Sequence, residues 1–333
     1  MNTQADTIIE LVCPAGTPAA LQAAVEAGAD AVYCGFRDAS NARNFPGLNF
    51  SEKEMATSIQ FAHRMGTKVY VAVNTYPLAG SMQIWRHAVD CAAGLGADAL
   101  IMADIGLIAY AAARHPRLRR HLSVQASASN PQSINFLAQE YGIERVVLPR
   151  VLSVDEIARL NRRVTVETEV FVFGGLCVMA EGRCSLSSYV TGQSPNLNGV
   201  CSPACAVSYE RRSGTLVSRL NGYTIDEVAA GMPAGYPTLC KGQYVVRGER
   251  MHLFEEPTSL NAAPLLPELA RAGISAIKLE GRQRGKAYIS QVTSGFRRAL
   301  DAMQTKQPAP PLDLSALTEA HRETTGAYRK AWR

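Results

Sequence analysis

Four cysteines between positions 177 and 240 are the residues whose type and spacing point most directly to chemistry. They follow the pattern Cys177-x6-Cys184-x16-Cys201-x38-Cys240 in a chain of 333 residues that holds eight cysteines. Thiolates bind both zinc and iron–sulfur clusters, and four of them complete a tetrahedral zinc site or a cubane cluster. In a reducing compartment, such thiols do not form structural disulfides. The pattern therefore predicts a metal or redox site.

The spacing of these cysteines favours a cluster over zinc. Structural zinc sites usually pair cysteines with two to four residues between them, and the one such pair here is Cys201-Ser-Pro-Ala-Cys205. No histidine falls between Cys177 and Cys240, and His252 is the nearest one. An iron–sulfur cluster on the four cysteines is the preferred interpretation. Zinc and unliganded core cysteines stay open as alternatives.

The remaining cysteines occur in different contexts. Cys13, Cys34 and Cys91 lie in apolar strand or helix patterns, where a free cysteine usually behaves as a small buried hydrophobe. Cys205 is interpreted either as a spare thiol or as a substitute ligand. We therefore expect the chemistry to involve the cysteines of the 177–240 region.

Composition and charge are those of a soluble globular protein. The chain is 47% hydrophobic and 19% charged, which indicates neither disorder nor a membrane span. A net charge of +5 without a lysine-rich run is a weak electrostatic reason to expect nucleic acid as a partner. The N-terminal segment lacks the basic region and apolar run of a secretory signal. We therefore expect a cytoplasmic protein.

A repeated sequence marks the elements that would position the cysteines. The segment Ala27-Gly-Ala-Asp-Ala-Val-Tyr33 recurs as Leu95–Ile101 and more loosely as Ala272–Lys278. In each copy the glycine suits the position that closes a helix, and the apolar residues after it suit a strand covered on both faces. Each copy is thus typical of the joint between a helix and the next parallel strand. The predicted strands are Ile8–Cys13, Ala31–Gly35, Lys68–Asn74, Ala99–Ala103, His121–Ala126, Arg145–Pro149, Val164–Phe173 and Ile274–Glu280.

Amphipathic segments separate these strands. Apolar residues three and four apart, after openings of the Ser-x-x-Glu or proline kind, indicate helices. Such helices are Pro18–Ala27, Ser51–Met65, Ser81–Leu95, Pro131–Tyr141 and Ser153–Leu160. Eight strands that alternate with helices predict an α/β fold, a (β/α)8 TIM-like barrel. A doubly wound open sheet is the alternative.

The regular alternation fails once, and this interruption sets the predicted domain organisation. A barrel domain is expected over residues 1–306, with an insertion at about 177–272 between strands seven and eight. That insertion is too long for one crossover, and it carries the cysteines. Since the C-terminal ends of barrel strands form the functional face, we expect the cysteines there. Residues 307–333 are expected to form a C-terminal linker and tail.

The segment Glu169–Ser187 closely resembles the signature of the peptidase U32 family, except that Gly175 stands where serine or alanine is usual. Similar segments extend the resemblance over nearly the whole chain. They are Glu10–Gly16, Asn41–Asn44, Ser123–Ser127, Val147–Arg150 and Lys278–Arg282. The resemblance therefore covers most of the predicted strand ends as well as the cysteine segment.

Within the family, the chain most resembles short members that act in O2-independent ubiquinone synthesis, through Ala42–Phe45, Gly235–Gly242 and Glu256–Asn261. The resemblance implies a heterodimer with the related iron–sulfur protein UbiV and cooperation with the lipid carrier UbiT. It implies hydroxylation of a prenylated aromatic ring, with prephenate as the hydroxyl donor. Cys205 has no counterpart among the implied ligands. The implied [4Fe-4S] ligands are Cys177, Cys184, Cys201 and Cys240.

A dicarboxylate donor needs fixed cations, and arginine suits bidentate capture of a carboxylate. Burial of a polar side chain without a hydrogen-bond partner costs stability. A binding site is one explanation for polar residues inside the predicted strands. The substrate-binding candidates chosen on these grounds are Arg43, Gln125, Arg150, Glu169, Lys278 and Arg282. Each has a structural alternative; for example, Lys278 and Glu280 would neutralise each other. No residue is assigned as a proton donor or nucleophile.

Three other functions stay open at this point. Relatives in the family hydroxylate RNA bases, although the weak and dispersed positive charge argues against RNA here. The chain could instead be a scaffold subunit whose cluster only holds the insertion. Peptidase activity is disfavoured, because the sequence offers neither a credible Ser/His/Asp or Cys/His arrangement nor a His-Glu-x-x-His helix.

Overall fold

The computed structural model describes residues 8–179, 184–308 and 311–329. Parts of four predicted features lie outside the described residues. They are the N-terminal segment before residue 8, residues 180–183 of the family signature, residues 309–310 of the linker and residues 330–333 of the tail.

The strands follow the predicted order along the chain, with seven further short strands outside the barrel. In chain order they are β1 (Glu10–Pro14), β2 (Ala31–Cys34), β3 (Lys68–Val73), β4 (Ala99–Met102), β5 (Arg119–Leu122), β6 (Ile143–Val147), β7 (Glu167–Gly175), β8 (Val207–Arg212), β9 (Thr215–Leu220), β10 (Tyr223–Ala229), β11 (Gln243–Val246), β12 (Glu249–His252), β13 (Ser259–Asn261), β14 (Ala276–Leu279) and β15 (Glu323–Thr324).

Eight of these strands close into a parallel barrel, which confirms the predicted TIM-like fold. Strands β1 to β7 pair in sequence order, and β14 pairs in parallel with both β1 and β7. This double pairing closes the sheet and excludes the open-sheet alternative. The strands are almost entirely buried, as expected for a parallel sheet covered on both faces.

The helices form the outer layer of the barrel, except for the short helices that directly follow β7, and those predicted begin close to their predicted positions. They are α1 (Pro18–Glu26), α2 (Glu52–Arg64), α3 (Gln83–Gly94), α4 (Ile105–Arg114), α5 (Pro131–Tyr141), α6 (Val154–Asn161), α7 (Leu186–Thr191), α8 (Pro195–Asn198), α9 (Leu266–Arg271) and α10 (Lys286–Gln304). Ser51 with Glu54, and Ser153 with Glu156, form complete capping boxes that satisfy backbone donors at the starts of α2 and α6.

The fifth strand departs from its predicted bounds. The chain is extended over Arg119–Leu122, whereas Val124–Ala126 forms a 3-10 turn. The cause is Ser123, whose Oγ accepts a hydrogen bond from the Gln125 amide at 3.3 Å. Side-chain acceptors of this kind compete with a strand ladder for backbone donors. The predicted strand His121–Ala126 is therefore wrong in its second half.

The insertion after β7 folds as an excursion over the C-terminal mouth of the barrel. It contains α7, α8, an antiparallel sheet in the order β10-β9-β8, and the hairpin β11–β12. The chain then returns through β13, which pairs antiparallel with β7. The following helix α9 packs near α6, so the last part of the predicted 177–272 insertion belongs to the barrel's helical layer.

Apolar side chains pack both between the strands and helices and inside the barrel. The larger core includes Leu11, Val71 and Phe173, and a smaller interior cluster includes Tyr33 and Tyr70. Cys13 and Cys34 are fully buried, as predicted, whereas Cys91 is half-buried on α3. Among the described helices, none combines the length and apolar character needed to cross a membrane.

Candidate functional site

A cavity of about 1310 Å³ lies at the C-terminal mouth of the barrel, the face that carries active sites in this fold. Strand ends form its floor, while the excursion and the C-terminal tail form its walls. It exceeds the roughly 300–1,000 Å³ usual for a pocket that holds one small ligand. The cysteines that line it are Cys177, Cys184, Cys201, Cys205 and Cys240.

The end of β7 delivers Cys177 to this cavity through two glycines. Gly174 has a φ of 110°, and a Cβ added there would lie 2.7 Å from the Glu280 carbonyl oxygen. The amide of Gly175 donates to Glu280 Oε2 at 3.1 Å, and an added Cβ would lie 3.2 Å from that oxygen. The departure from the family pattern at Gly175 thus makes room for a carboxylate beside the cysteine segment.

Side-chain hydrogen bonds hold the backbone at Cys184 and just before Cys201. Asn196 accepts from the Cys184 amide and donates to its carbonyl, both at 3.1 Å. Ahead of Cys201, Arg43 Nη1 donates to the Gly199 carbonyl at 3.0 Å. A Cβ at Gly199 would lie 2.2 Å from the Ala42 carbonyl oxygen, so glycine is required for this close approach.

Cys240 lies beside a buried ion pair. The Cys240 carbonyl accepts from the Glu255 amide at 3.1 Å, while the neighbouring Lys241 pairs with Glu319 of the tail. Burial raises the pKa of the Cys240 thiol to about 12. The thiols of the other three cysteines of the 177–240 pattern raise this pKa further, and Lys241 opposes them. Cys240 shares its cavity with Cys177, Cys184 and Cys201.

The number and type of these donors match a cubane cluster, which takes four thiolates. Three separate segments present the thiols to one cavity, and their deprotonation on binding would release protons. Among the described residues, no three His, Cys, Asp or Glu side chains form a group that could hold a metal ion. The cluster therefore stays a prediction.

Arg282 is the most deeply buried cation of the cavity floor. It donates from Nη1 to Asn41 Oδ1 at 2.7 Å and from Nη2 to Asn49 Oδ1. Its Nε is buried without a hydrogen-bond partner among the described residues, and burial lowers its pKa to about 10. Buried donors are normally satisfied, so this orphaned N–H suits an anionic ligand.

Lys278 also lines the cavity and is buried. Its Nζ donates to Glu169 Oε1 at 2.6 Å and lies 3.7 Å from the centroid of the Tyr33 ring. Burial lowers the pKa of Lys278, and Glu169 opposes that shift. The carboxylate that pairs with Lys278 is therefore that of Glu169. The alternative pairing with Glu280, suggested by the sequence, is wrong.

The other candidates divide between the cavity and the barrel interior. Arg150 lines the cavity, donates to the Gly175 carbonyl and lies 4.2 Å from the Phe171 ring centroid. Gln125 and Arg43 also line it. Glu169 does not line the cavity; it is fully buried below Lys278. The structure thus brings five of the six predicted side chains together.

Two parts of the cavity wall were not among the predicted ligand candidates. Glu280 projects its carboxylate beside Gly175, and its place in the Lys278–Arg282 motif was the available signal. Residues 318–321 of the C-terminal tail also line the cavity. No motif in the tail indicated this position, because the contacts join residues far apart in the sequence.

Fold and site together define a class of protein: a closed (β/α)8 barrel with a cysteine-lined cavity covered by an excursion after the seventh strand. The sequence matches the profile of Peptidase family U32 over residues 16–331. This chain belongs to that family.

Relatives and solved structures extend the comparison. The tRNA hydroxylation protein P of Escherichia coli K12 is 32% identical over 96% of this chain and 74% of its own length. The 23S rRNA 5-hydroxycytidine C2501 synthase of the same organism is 30% identical over 89% of this chain and 40% of its own. The solved U32 peptidase Mk0906 is 15% identical with a TM-score of 0.43, covering 52% of this chain and 72% of that one.

Proposed function

We propose that this chain is the iron–sulfur subunit of an O2-independent hydroxylase in ubiquinone biosynthesis, resembling UbiU. The observation that carries the proposal is the meeting of the four cysteines with buried Lys278 and Arg282 in one cavity. Relatives named for the hydroxylation of tRNA and rRNA support hydroxylase-type chemistry. The resemblance to short U32 members supports ubiquinone synthesis in particular.

The proposed reaction moves a hydroxyl group from a donor to an aromatic ring, Ar–H + R–OH → Ar–OH + R–H. The ring carbon loses two electrons and the donor carbon gains them, so the overall balance requires neither O2 nor an external reductant. A [4Fe-4S] cluster, when bound, supplies the redox capacity that zinc lacks. Prephenate is the proposed donor.

The chain's own residues would bind and orient the donor. The buried Nε–H of Arg282 at the cavity floor has no hydrogen-bond partner among the described residues, and Arg150 presents a second guanidinium in the loop after β6. Paired guanidinium groups suit two carboxylates. The excursion above them would exclude water from the reacting groups. Arg282 already donates two hydrogen bonds to the protein and Arg150 donates one, which fixes the orientation of both guanidinium groups.

Cavity size and surface composition support the proposed partners. A space of about 1310 Å³ has room for a donor together with an aromatic ring delivered by the lipid carrier UbiT. The excursion exposes large apolar side chains, among them Tyr189, Val245 and Phe254. Exposed apolar surface marks protein–protein contact sites where it is contiguous, and we propose that these side chains contribute to the contact with UbiV.

The proposal predicts that Cys177→Ala loses both iron and ring hydroxylation, because three thiolates leave the cluster incomplete. Cys205→Ala is the matched control, since Cys205 lines the same cavity outside the proposed ligand set. Each variant, paired with UbiV under anaerobic conditions, is supplied with a prenylated phenol and prephenate, and the product is identified by mass spectrometry. Wild-type turnover by Cys177→Ala would favour the scaffold function instead.

Hydroxylation of an RNA base is the second candidate, and the relative named tRNA hydroxylation protein P favours it. The same protein is therefore assayed anaerobically with prephenate and tRNA, and tRNA retention is measured at increasing salt. Phosphate contacts make RNA binding strongly salt-dependent. Product on tRNA with none on the prenylated ring would replace the ubiquinone assignment.

A further inference from the structure

The C-terminal tail, residues 311–329, is anchored beside the end of β7. Strand β15 in this tail pairs in parallel with β13, which itself pairs with β7. The Arg322 carbonyl accepts from the Ser259 amide at 3.0 Å, and Glu323 Oε2 accepts from Asn261 Nδ2 at 2.9 Å. The tail is thus part of the sheet that carries the cysteine segments.

The first contact with a cysteine segment is the Lys241–Glu319 ion pair. Lys241 directly follows Cys240, and the two charged side chains are only 7% and 15% exposed. Lys241 Nζ also donates to the Thr258 carbonyl at 3.0 Å, and the Glu319 amide donates to Ser259 Oγ at 2.8 Å. A paired and hydrogen-bonded buried charge resists displacement, because separation would leave it uncompensated.

The second contact reaches the residue before Cys177. Tyr328 is buried and donates its hydroxyl to the Phe171 carbonyl on β7. Gly326 packs so closely that an added Cβ would lie 3.1 Å from Leu176 Cδ1 and 3.3 Å from Leu260 Cδ1. The tail therefore touches the segments of the first and the last cysteine of the pattern.

Backbone strain marks the tail between these contacts. Ala320 and His321 have φ values of 51° and 55°, in the left-handed region that side chains with a Cβ disfavour. Both residues line the cavity. Such strain persists when the surroundings hold the chain on both sides, as the anchored Glu319 and Arg322 do here.

We propose that residues 311–329 act as a clamp that holds the Cys177 and Cys240 segments in place for the cluster. Glu319 is the positioning residue, because it joins the tail to the residue beside Cys240. The inference rests on the proposed function where it concerns the cluster. The clamping of the cysteine segments can be tested without any metal.

The test compares Glu319→Gln with Glu268→Gln. The control removes the Arg329–Glu268 pair, 2.6 Å, which also joins the tail to the barrel but lies at the surface on α9. In the iron-free full-length chain, alkylation of each cysteine by iodoacetamide is followed by peptide mass spectrometry. We expect Cys240 to react about tenfold faster in Glu319→Gln, since local opening then costs less, and at the wild-type rate in the control.

The second measurement is iron retention. After anaerobic reconstitution, Glu319→Gln should lose iron to a chelator faster than the wild type, whereas Glu268→Gln should not. Lys241→Gln removes the other half of the pair and gives a second test if Glu319→Gln does not fold. Unchanged alkylation and retention in both pair variants would overturn the clamp. A wild type that binds no iron would contradict the proposed function, while the alkylation rates still decide the clamp.

Discussion

At the scale of single residues, Gly174 controls how the cysteine segment leaves the barrel. Its φ of 110° and its contact with Glu280 leave no space for a side chain. The next residue, Gly175, binds the Glu280 carboxylate through its amide at 3.1 Å. Two adjacent glycines therefore place a negative charge beside the segment that carries Cys177.

Replacing Gly174 with alanine should destabilise the protein by about 3 kcal/mol, because strained backbone and a backbone clash combine. Gly192 is the matched control: its φ of 71° is also positive, but an added Cβ meets nothing within 4 Å. Gly192→Ala should cost about 1–2 kcal/mol. Urea unfolding measures both changes. Equal losses would show that Glu280 does not crowd Gly174.

At the scale of elements, buried ion pairs tie the barrel strands together. Arg145 on β6 pairs with Glu10 on β1 at 2.5 Å and with Glu169 on β7 at 3.2 Å. Glu169 in turn pairs with Lys278 on β14, while the half-exposed Lys68 on β3 pairs with Glu10 at 2.7 Å. Lys278, which lines the cavity, is thus the end of an ion-pair network that crosses the barrel interior.

Glu10→Gln should destabilise the protein by about 3 kcal/mol at neutral pH, because it leaves a buried arginine short of one carboxylate. Burial alone would raise the pKa of Glu10, but Arg145, Lys68 and Tyr70 hold it below 4.5. Because the folded-state pKa is depressed, this stabilisation is present above pH 4.5 and is lost as the pH falls through the folded-state pKa.

Denaturant unfolding of the wild type and Glu10→Gln across this range tests the prediction. The difference in unfolding free energy should shrink as the pH falls below 4.5. A difference that is the same at neutral and at acid pH would show that the carboxylate charge contributes nothing.

The elements were largely predictable because their signals are local. The glycine that ends a helix and the apolar run after it lie within seven residues, as in Ala27–Tyr33. Each of the eight barrel strands overlaps a predicted strand, although the fifth ends earlier than predicted. The ion pairs were not predictable, since Glu10 and Arg145 are 135 positions apart. Glu169 was predicted as a substrate ligand because its ion-pair partners, Arg145 and Lys278, cannot be identified from its position within a strand.

At the scale of the whole molecule, the cavity depends on three distant parts of the chain. Barrel topology made the meeting of the cysteines at the mouth predictable, because β7 ends at Gly175 just before Cys177. The clamp was not predictable, since residues 318–321 reach the cavity through pairing of β15 with β13. Short strands outside a repeating pattern leave no periodic signal in the sequence.

The proposed hydroxylase chemistry depends on a [4Fe-4S] cluster on Cys177, Cys184, Cys201 and Cys240. Its most direct test is iron, sulfide and zinc analysis of the full chain after anaerobic purification, with a visible absorption spectrum of the same sample. We predict about four irons and four sulfides per chain with a broad visible band, all lost in Cys177→Ala and retained in Cys205→Ala. Stoichiometric zinc without iron would contradict the proposed cluster.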